Sequence, residues 1–197
     1  MQVFHSLHDP QLVQLLRSGA IGVIPTDTVY GLVCCAADEA AVERLFREVK
    51  PREMQPGTII AADVSQMEQL GVKKRYLSAV QHFWPGAVSV EIPHGVAYLH
   101  RGTMRQAFRI PDDVPLQALL QQVGPLQTTS ANSPSAPTAK NIAEAVAYFG
   151  EKIDFYVDTG DIGERPPSTI IRIVDDAIEV VRQGAVKIDE TGRIHRG

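Results

Sequence analysis

Cysteine is nearly missing from this chain: 197 residues hold two, adjacent at Cys34 and Cys35. With no third cysteine there is no other partner for a structural disulfide, and a reducing cytoplasm is the expected setting. A metal site would need ligands the pair lacks, since no histidine stands at ligand spacing from it. The two therefore read as small side chains buried on a strand or loop. Also absent is any apolar run near the ~18 residues that span a bilayer, so no membrane contact is expected. Residues 1–6 have neither the charged lead nor the apolar core of an export signal. Aromatics are scarce at 6%, and 19 Lys and Arg stand against 23 Asp and Glu, for a net charge of −4. That balance argues against coating nucleic acid by bulk electrostatics and leaves only a local basic patch open.

Signature loops of common chemistries are missing too. There is no Gly-x-x-x-x-Gly-Lys loop and no Gly-x-Gly-x-x-Gly after the first strand. Ser130 does not sit in a Gly-x-Ser-x-Gly elbow, which disfavours a serine hydrolase. His5, His8, His82, His94, His100 and His195 show no ligand spacing and read as surface or capping residues. No repeat, low-complexity tract or Gly/Ser linker divides the chain, so one domain over residues 1–197 is expected.

What is present is an alternation of strand-like and helix-like segments, 44% hydrophobic and 21% charged. Asp9-Pro10 opens an amphipathic helix that Ser18-Gly19 closes, and residues 21–24 follow as a buried strand. Asp38 caps a second helix whose Val42, Leu45, Phe46 and Val49 follow the i, i+3, i+4, i+7 stripe, ended by Pro51. Strands are expected at 58–61, 87–92, 106–110 and 125–129, with polar helical stretches to about residue 83. Asp113 opens a further helix, and Thr138 caps another that Gly150 stops. The last third reads as strands 155–157, 169–174 and 178–181, the last two joined across Asp175-Asp176 as a hairpin. This pattern predicts an α/β fold with a mixed sheet flanked by helices; the hairpin rules out an all-parallel sheet.

Three polar clusters stand at the ends of these elements. The segment 25–32, Pro-Thr-Asp-Thr-Val-Tyr-Gly-Leu, could grip a small polar substrate through Thr28 and Tyr30, or simply satisfy its own backbone. Asp27 there could be a general base or pair with a cation. Lys50 and Arg52, one residue apart around a proline, suit a polyphosphate, or merely complement a helix macrodipole. Ser130-Ala131-Asn132, preceded by Thr128 and Thr129, offers an anion-binding turn or a turn that bonds itself. Trp84-Pro85-Gly86 reads as a packing anchor rather than a base-stacking platform.

Taken together, the chain resembles the YrdC/Sua5 (TsaC-like) family. The resemblance rests on residues 25–32, Lys50-Pro51-Arg52, Trp84-Pro85-Gly86, Arg109-Ile110-Pro111, Ser130-Ala131-Asn132, Pro167-Ser168-Thr169-Ile170 and Arg182-Gln183-Gly184, in that order over about residues 9–186. It resembles the short, single-domain type. The resemblance implies a twisted α/β sheet with a large concave, positively lined cavity. It implies an L-threonylcarbamoyladenylate synthase, which joins L-threonine, bicarbonate and ATP into threonylcarbamoyl-AMP and pyrophosphate for t6A at position 37 of tRNA. By the same resemblance Thr28, Tyr30, Arg109, Thr128 and Ser168 would hold threonine. Lys50, Arg52, Ser130, Asn132, Thr138 and Arg182 would hold ATP, with Lys50 and Arg52 closest to the chemistry. Mg2+ would arrive on the phosphates, with no dedicated metal ligands.

The implied partners are a threonylcarbamoyl transferase complex and, in an alternative without synthase activity, tRNA or double-stranded RNA. A third alternative is a carbamoyl-handling domain like that of hydrogenase maturation proteins. The chain departs from the family pattern in having Pro56 where Lys or Asn is usual, Ala61 where some longer members have histidine, Pro134-Ser135 for Ser-Gly, and Gln183 for proline. Residues 100–103 are a candidate closing loop.

Overall fold

Five helices open on an aspartate or asparagine whose side chain takes an amide of the first turn. The protein is described by a computed structural model over residues 1–51, 55–175, 177–189 and 193–195. The helices are α1 (Pro10–Arg17), α2 (Glu39–Arg44), α3 (Val64–Gln69), α4 (Lys74–Val80), α5 (Ala97–His100), α6 (Val114–Val123) and α7 (Ile142–Phe149). Asp9, Asp38, Asp63 and Asp113 cap α1, α2, α3 and α6 at 2.8–3.0 Å. The cap of α7 is Asn141, which accepts the Glu144 amide at 3.0 Å, rather than the expected Thr138. Thr138 lies too far ahead to reach that turn, and Glu144 completes the exchange by accepting the Lys140 amide at 2.9 Å. Beyond α2 the chain continues through a π-helical stretch, Leu45–Val49, that ends at Lys50 and Pro51.

Strands β1 (Gln2–Phe4), β2 (Gly22–Ile24), β3 (Gly31–Cys35), β4 (Thr58–Ile60), β5 (Val88–Pro93), β6 (Arg105–Arg109), β7 (Leu126–Ser130), β8 (Phe155–Val157), β9 (Thr169–Val174) and β10 (Ala177–Arg182) form one sheet. Their order is β1-β8-β2-β3-β7-β4-β6-β5-β9-β10. The sheet is mixed, as the sequence predicts: β4/β6 and β5/β9 are parallel, whereas β2/β3, β3/β7 and β9/β10 are antiparallel. The β9–β10 hairpin turns through Asp175 at φ 49°, and the expected turn residue Asp176 lies outside the described residues. β1, α5 and a two-stranded ribbon, β11 (Lys187–Ile188) with β12 (Ile194–His195), were not legible as elements. Cys34 and Cys35 end β3; Cys34 is buried, and burial raises its thiol pKa far above the ordinary value.

Side chains alternate across the sheet, and the two faces are covered differently. One face carries Val23, Leu32, Ile59, Val90, Phe108 and Ile171 and is packed by α2, α4, α5, α7 and the π-helical stretch through Phe46, Leu77, Leu99, Ile142 and Phe149. The other carries Ile24, Val33, Ile60, Leu126 and Phe155 and is packed by α1 and α6 through Leu12, Leu16, Leu116 and Leu120. Those two helices stop short of β5, β6 and β9, so part of this face has no cover. Of the histidines expected at the surface or as caps, His94 and His100 are buried, and the Nδ1 of each accepts nearby backbone amides. His94 Nε2 lies 3.0 Å from the Leu70 carbonyl, and burial holds its pKa below the usual histidine value.

Gly22 in β2 shows how tightly the strands are packed: a Cβ there would come within 2.3 Å of the buried Phe155 ring. Gly22→Ala is therefore expected to destabilise the protein by about 1–3 kcal/mol in a urea titration. A midpoint equal to wild type would mean that β2 and β8 are looser than described.

Candidate active site

The uncovered part of the sheet is the floor of a cavity of about 610 Å³. Every second residue of the strands points into it: Arg105, Ala107 and Arg109 of β6, Thr128 and Ser130 of β7, Ile170 and Arg172 of β9. Thr26, Thr28, Gly57, Thr58, Glu91, Ser168 and Arg182 complete the polar wall. Among the described lining residues four are arginines and one, Glu91, is a carboxylate. The surface is thus cationic although the chain is acidic overall. Gly31 is in the wall because a Cβ there would sit 2.7 Å from Thr128 Oγ1.

Arg109 and Asp27 form a buried pair, with Nη1 at 2.5 and 2.7 Å from the two carboxylate oxygens. Asp27 also accepts the Asp112 amide at 3.2 Å. This resolves the two readings of Asp27: it orients a cation. Arg109 Nε is buried without a hydrogen-bond partner, so the guanidinium retains donor capacity at the cavity. A carboxylate is the acceptor that matches such a fork. Next to Asp27, Thr26 Oγ1 donates to the Val29 carbonyl at 2.6 Å and accepts the Thr28 and Val29 amides at 3.2 Å. That local turn presents Thr28 to the cavity.

Lys50 meets the Ser130–Asn132 turn. Its Nζ donates to the Ser130 carbonyl at 2.6 Å and to Asn132 Oδ1 at 2.7 Å. Ser130 Oγ donates to the same Oδ1 at 2.7 Å, and Asn132 Nδ2 closes the turn on the Ala136 carbonyl at 2.7 Å. Of these three residues only Ser130 lines the cavity, and the ammonium is buried just behind it. On the far wall Arg182 donates to the Ser168 carbonyl at 2.7 Å, and Gly184 lies so close to Pro167 that a Cβ would meet its carbonyl at 2.2 Å. Ser168 Oγ is 2.8 Å from Ser89 Oγ. The segments around 168 and 183 are therefore one unit.

Thr28, Arg109, Thr128, Ser168, Ser130 and Arg182 are brought together around one cavity. Tyr30 is not: side chains alternate, Gly31 takes the cavity side, and the Tyr30 ring is fully buried on the other. Its hydroxyl donates to the Gly160 carbonyl at 2.8 Å. Thr138 lies in a separate cleft of about 90 Å³ beside Lys140 and Glu164, which meets the cavity only at Val29. Arg52 lies outside the described residues. Residues 100–103 are not slack, since Thr103 Oγ1 lies 2.6 Å from the His100 carbonyl and the Gly102 amide donates to His100 Nδ1 at 3.1 Å. Sequence reasoning missed Thr26, Thr58, Arg105 and Arg172. For Arg105 the signal was available as a second arginine of the same strand parity as Arg109.

The fold and the site together define a mixed α/β sheet protein with an arginine-lined cavity. The Sua5/YciO/YrdC family model, described as "Telomere recombination", matches residues 14–184, and the chain belongs to that family. It is 32% identical over 183 residues to the threonylcarbamoyl-AMP synthase of Pseudomonas syringae pv. syringae, covering 88% of this chain and 96% of that one. The structure of P. abyssi Sua5 complexed with L-threonine superposes with a TM-score of 0.83 at 25% identity, covering 94% of this chain and 58% of that one. The present chain thus spans little more than half of that Sua5. E. coli YciO matches in fold with a TM-score of 0.79 at 24% identity, covering 96% of this chain and 98% of that one.

Removing the carboxylate partner of a buried arginine strands its charge. Asp27→Asn is therefore expected to cost about 3–5 kcal/mol of folding stability. Chemical denaturation checks this, and a change below about 0.5 kcal/mol would mean that the pair is not buried as described.

Proposed function

We propose that the chain is an L-threonylcarbamoyladenylate synthase acting on L-threonine, bicarbonate and ATP. The observation that carries this reading is the placement of Arg109, with donor capacity to spare, in the same cavity as Ser130 and Arg182. A cavity for this reaction must hold an amino-acid carboxylate and a polyphosphate at once. The relatives' names and the threonine complex of P. abyssi Sua5 support the same assignment.

Arg109 would take the threonine carboxylate, with Thr28, Thr128 and Ser168 offering hydroxyls to the rest of the molecule. The amino nitrogen adds to bicarbonate carbon with loss of water, giving a carbamate. A carbamate oxygen then attacks the α-phosphorus of ATP. The new O–P bond forms as the bond to the bridging oxygen breaks, and that electron pair leaves on pyrophosphate. Both partners are anions, so cationic side chains that hold them close offset the repulsion and order the approach. Ser130 and Arg182 would contact the nucleotide, with Lys50 and Asn132 holding Ser130 in place and Arg52 completing the phosphate contacts. Thr138 would join only where the nucleotide extends past Val29. Tyr30 has no part.

Magnesium would come with ATP as part of the substrate. Among the described residues no three His, Cys, Asp or Glu side chains are grouped to hold an ion, and Glu91 is already paired with Arg172. The product would pass to a threonylcarbamoyl transferase for t6A in tRNA, in the cytoplasm. An RNA-binding module without activity is less well supported, because no aromatic side chain among the described residues lines the cavity for bases to stack on.

Purified protein with ATP, bicarbonate and threonine is expected to release pyrophosphate only when all three are present; release without threonine would sink the reading. Arg109→Ala should raise KM for threonine by about tenfold or more while KM for ATP changes little. Arg52→Ala should abolish turnover and leave the circular dichroism spectrum unchanged.

A further inference from the structure

The four cavity arginines differ in what they bind. Arg109 is held by Asp27, Arg172 lies 3.6 and 3.4 Å from Glu91 and Glu179, and Arg182 donates to the Ser168 carbonyl. Arg105 is half-buried and lines the cavity, and its guanidinium has no hydrogen bond or ion pair to any described residue.

The turn that leads into Arg105 adopts a conformation L residues avoid. Arg101, Gly102 and Met104 have φ of 48°, 87° and 59°. Buried His100 holds them there, accepting the Gly102 and Met104 amides on Nδ1 at 3.1 and 3.3 Å. Thr103 Oγ1 lies 2.7 Å from the Arg105 carbonyl and accepts the Arg105 amide at 3.3 Å. Strained backbone that its surroundings over-determine gathers at ligand-binding positions. Here its effect is to fix the start of β6, and with it Arg105.

β6 points Arg105, Ala107 and Arg109 to the same side, so the two arginines are separated by about 13 Å of strand. Between them is a methyl group, which leaves space for a reacting centre. An in-line displacement at phosphorus places the attacking and leaving groups on opposite sides. Pro56, in the same wall, has no N–H to offer a phosphate.

We propose that Arg105, fixed by the His100-latched turn, binds the pyrophosphate end of the nucleotide, opposite the amino-acid end at Arg109. This rests on the synthase reading, and the test separates the two. The full chain is titrated calorimetrically with ATP, AMP, pyrophosphate and threonine, as wild type, Arg105→Ala, His100→Ala, His100→Asn and the double variant Arg105→Ala with His100→Ala. Arg105→Ala should weaken ATP and pyrophosphate by about tenfold to a hundredfold and leave AMP and threonine within about twofold.

His100 is a positioning residue, so His100→Ala should mimic Arg105→Ala, and the double variant should lose no more than Arg105→Ala alone. His100→Asn, which keeps an acceptor near the Nδ1 position, should restore pyrophosphate binding. Unchanged pyrophosphate affinity in Arg105→Ala, or equal weakening of AMP, would overturn the proposal. Should His100→Ala fail to fold, the cavity-side Arg105→Ala still decides it. Arg105-dependent pyrophosphate binding without threonine-dependent turnover would uphold the anion site and remove the synthase reading. A wild-type protein that binds neither ATP nor pyrophosphate would remove both.

Discussion

A ten-stranded sheet is wider than two helices can cover, and the rest of this structure follows from that. Ten strands at about 4.8 Å span roughly 43 Å, whereas two helices of about 10 Å cover about half of it. α1 and α6 take the part built on β1, β8, β2 and portions of β3, β4 and β7, where Leu12, Leu16, Leu116 and Leu120 meet Ile24, Val33, Ile60, Leu126 and Phe155. The remaining half must face water, so its alternating positions cannot be leucine or isoleucine throughout. They are Thr128, Ser130, Thr58, Arg105, Arg109 and Arg172. Sheet twist turns this uncovered half into a concavity. The opposite face, with more helices to cover it, is mainly apolar, with Gln106, Gln127, Thr129 and Thr169 buried among its hydrophobic side chains.

A concavity floored by arginines has its own cost, because desolvated like charges repel. The protein meets this unevenly. Asp27 is spent on Arg109, and Glu91 with Glu179 on Arg172, across neighbouring strands whose register brings Glu91 and Glu179 opposite Arg172. Lys50 donates to a carbonyl and an amide oxygen of the turn, which holds its ammonium behind Ser130. The potential that survives is the one an anionic ligand would meet.

Local chemistry made much of this legible in advance. Asp9, Asp38 and Asp113 announce helices because a carboxylate before an apolar stripe has few other uses, and the β9–β10 hairpin follows from two β-branched runs around a polar turn. The meeting of Lys50 with Ser130 and Asn132 was inferable only as convergence, since 80 residues separate the donor from its acceptor. Tyr30 misled because its neighbours are ligand-like; only the parity of β3 tells that Gly31, not Tyr30, faces the cavity. Thr138 misled for a related reason, being one of several residues able to cap, with Asn141 closer to the first turn. β1 is three residues long and is defined by its pairing with β8, contacts more than 150 residues apart that no local pattern records.

The lining also limits how any reaction here could be accelerated. Among its described residues there is no histidine or cysteine, and its one carboxylate is already paired with an arginine. Among the described residues the hydroxyls of Thr28, Thr128 and Ser130 have no acidic or imidazole hydrogen-bond partner, so none of these activates them as nucleophiles. Thr26 and Asn132 are their side-chain partners, together with Lys50 for Ser130. On the proposed synthase reading, what is left is alignment of two bound anions and compensation of their charge. Reactions between preformed ligands can gain several orders of magnitude from those two effects alone. The nucleophile must then come from the substrates, and a carbamate formed on the amino acid is one. On the proposed synthase reading, the uncovered half of the sheet determines both where the ligands would sit and which kind of chemistry they would undergo.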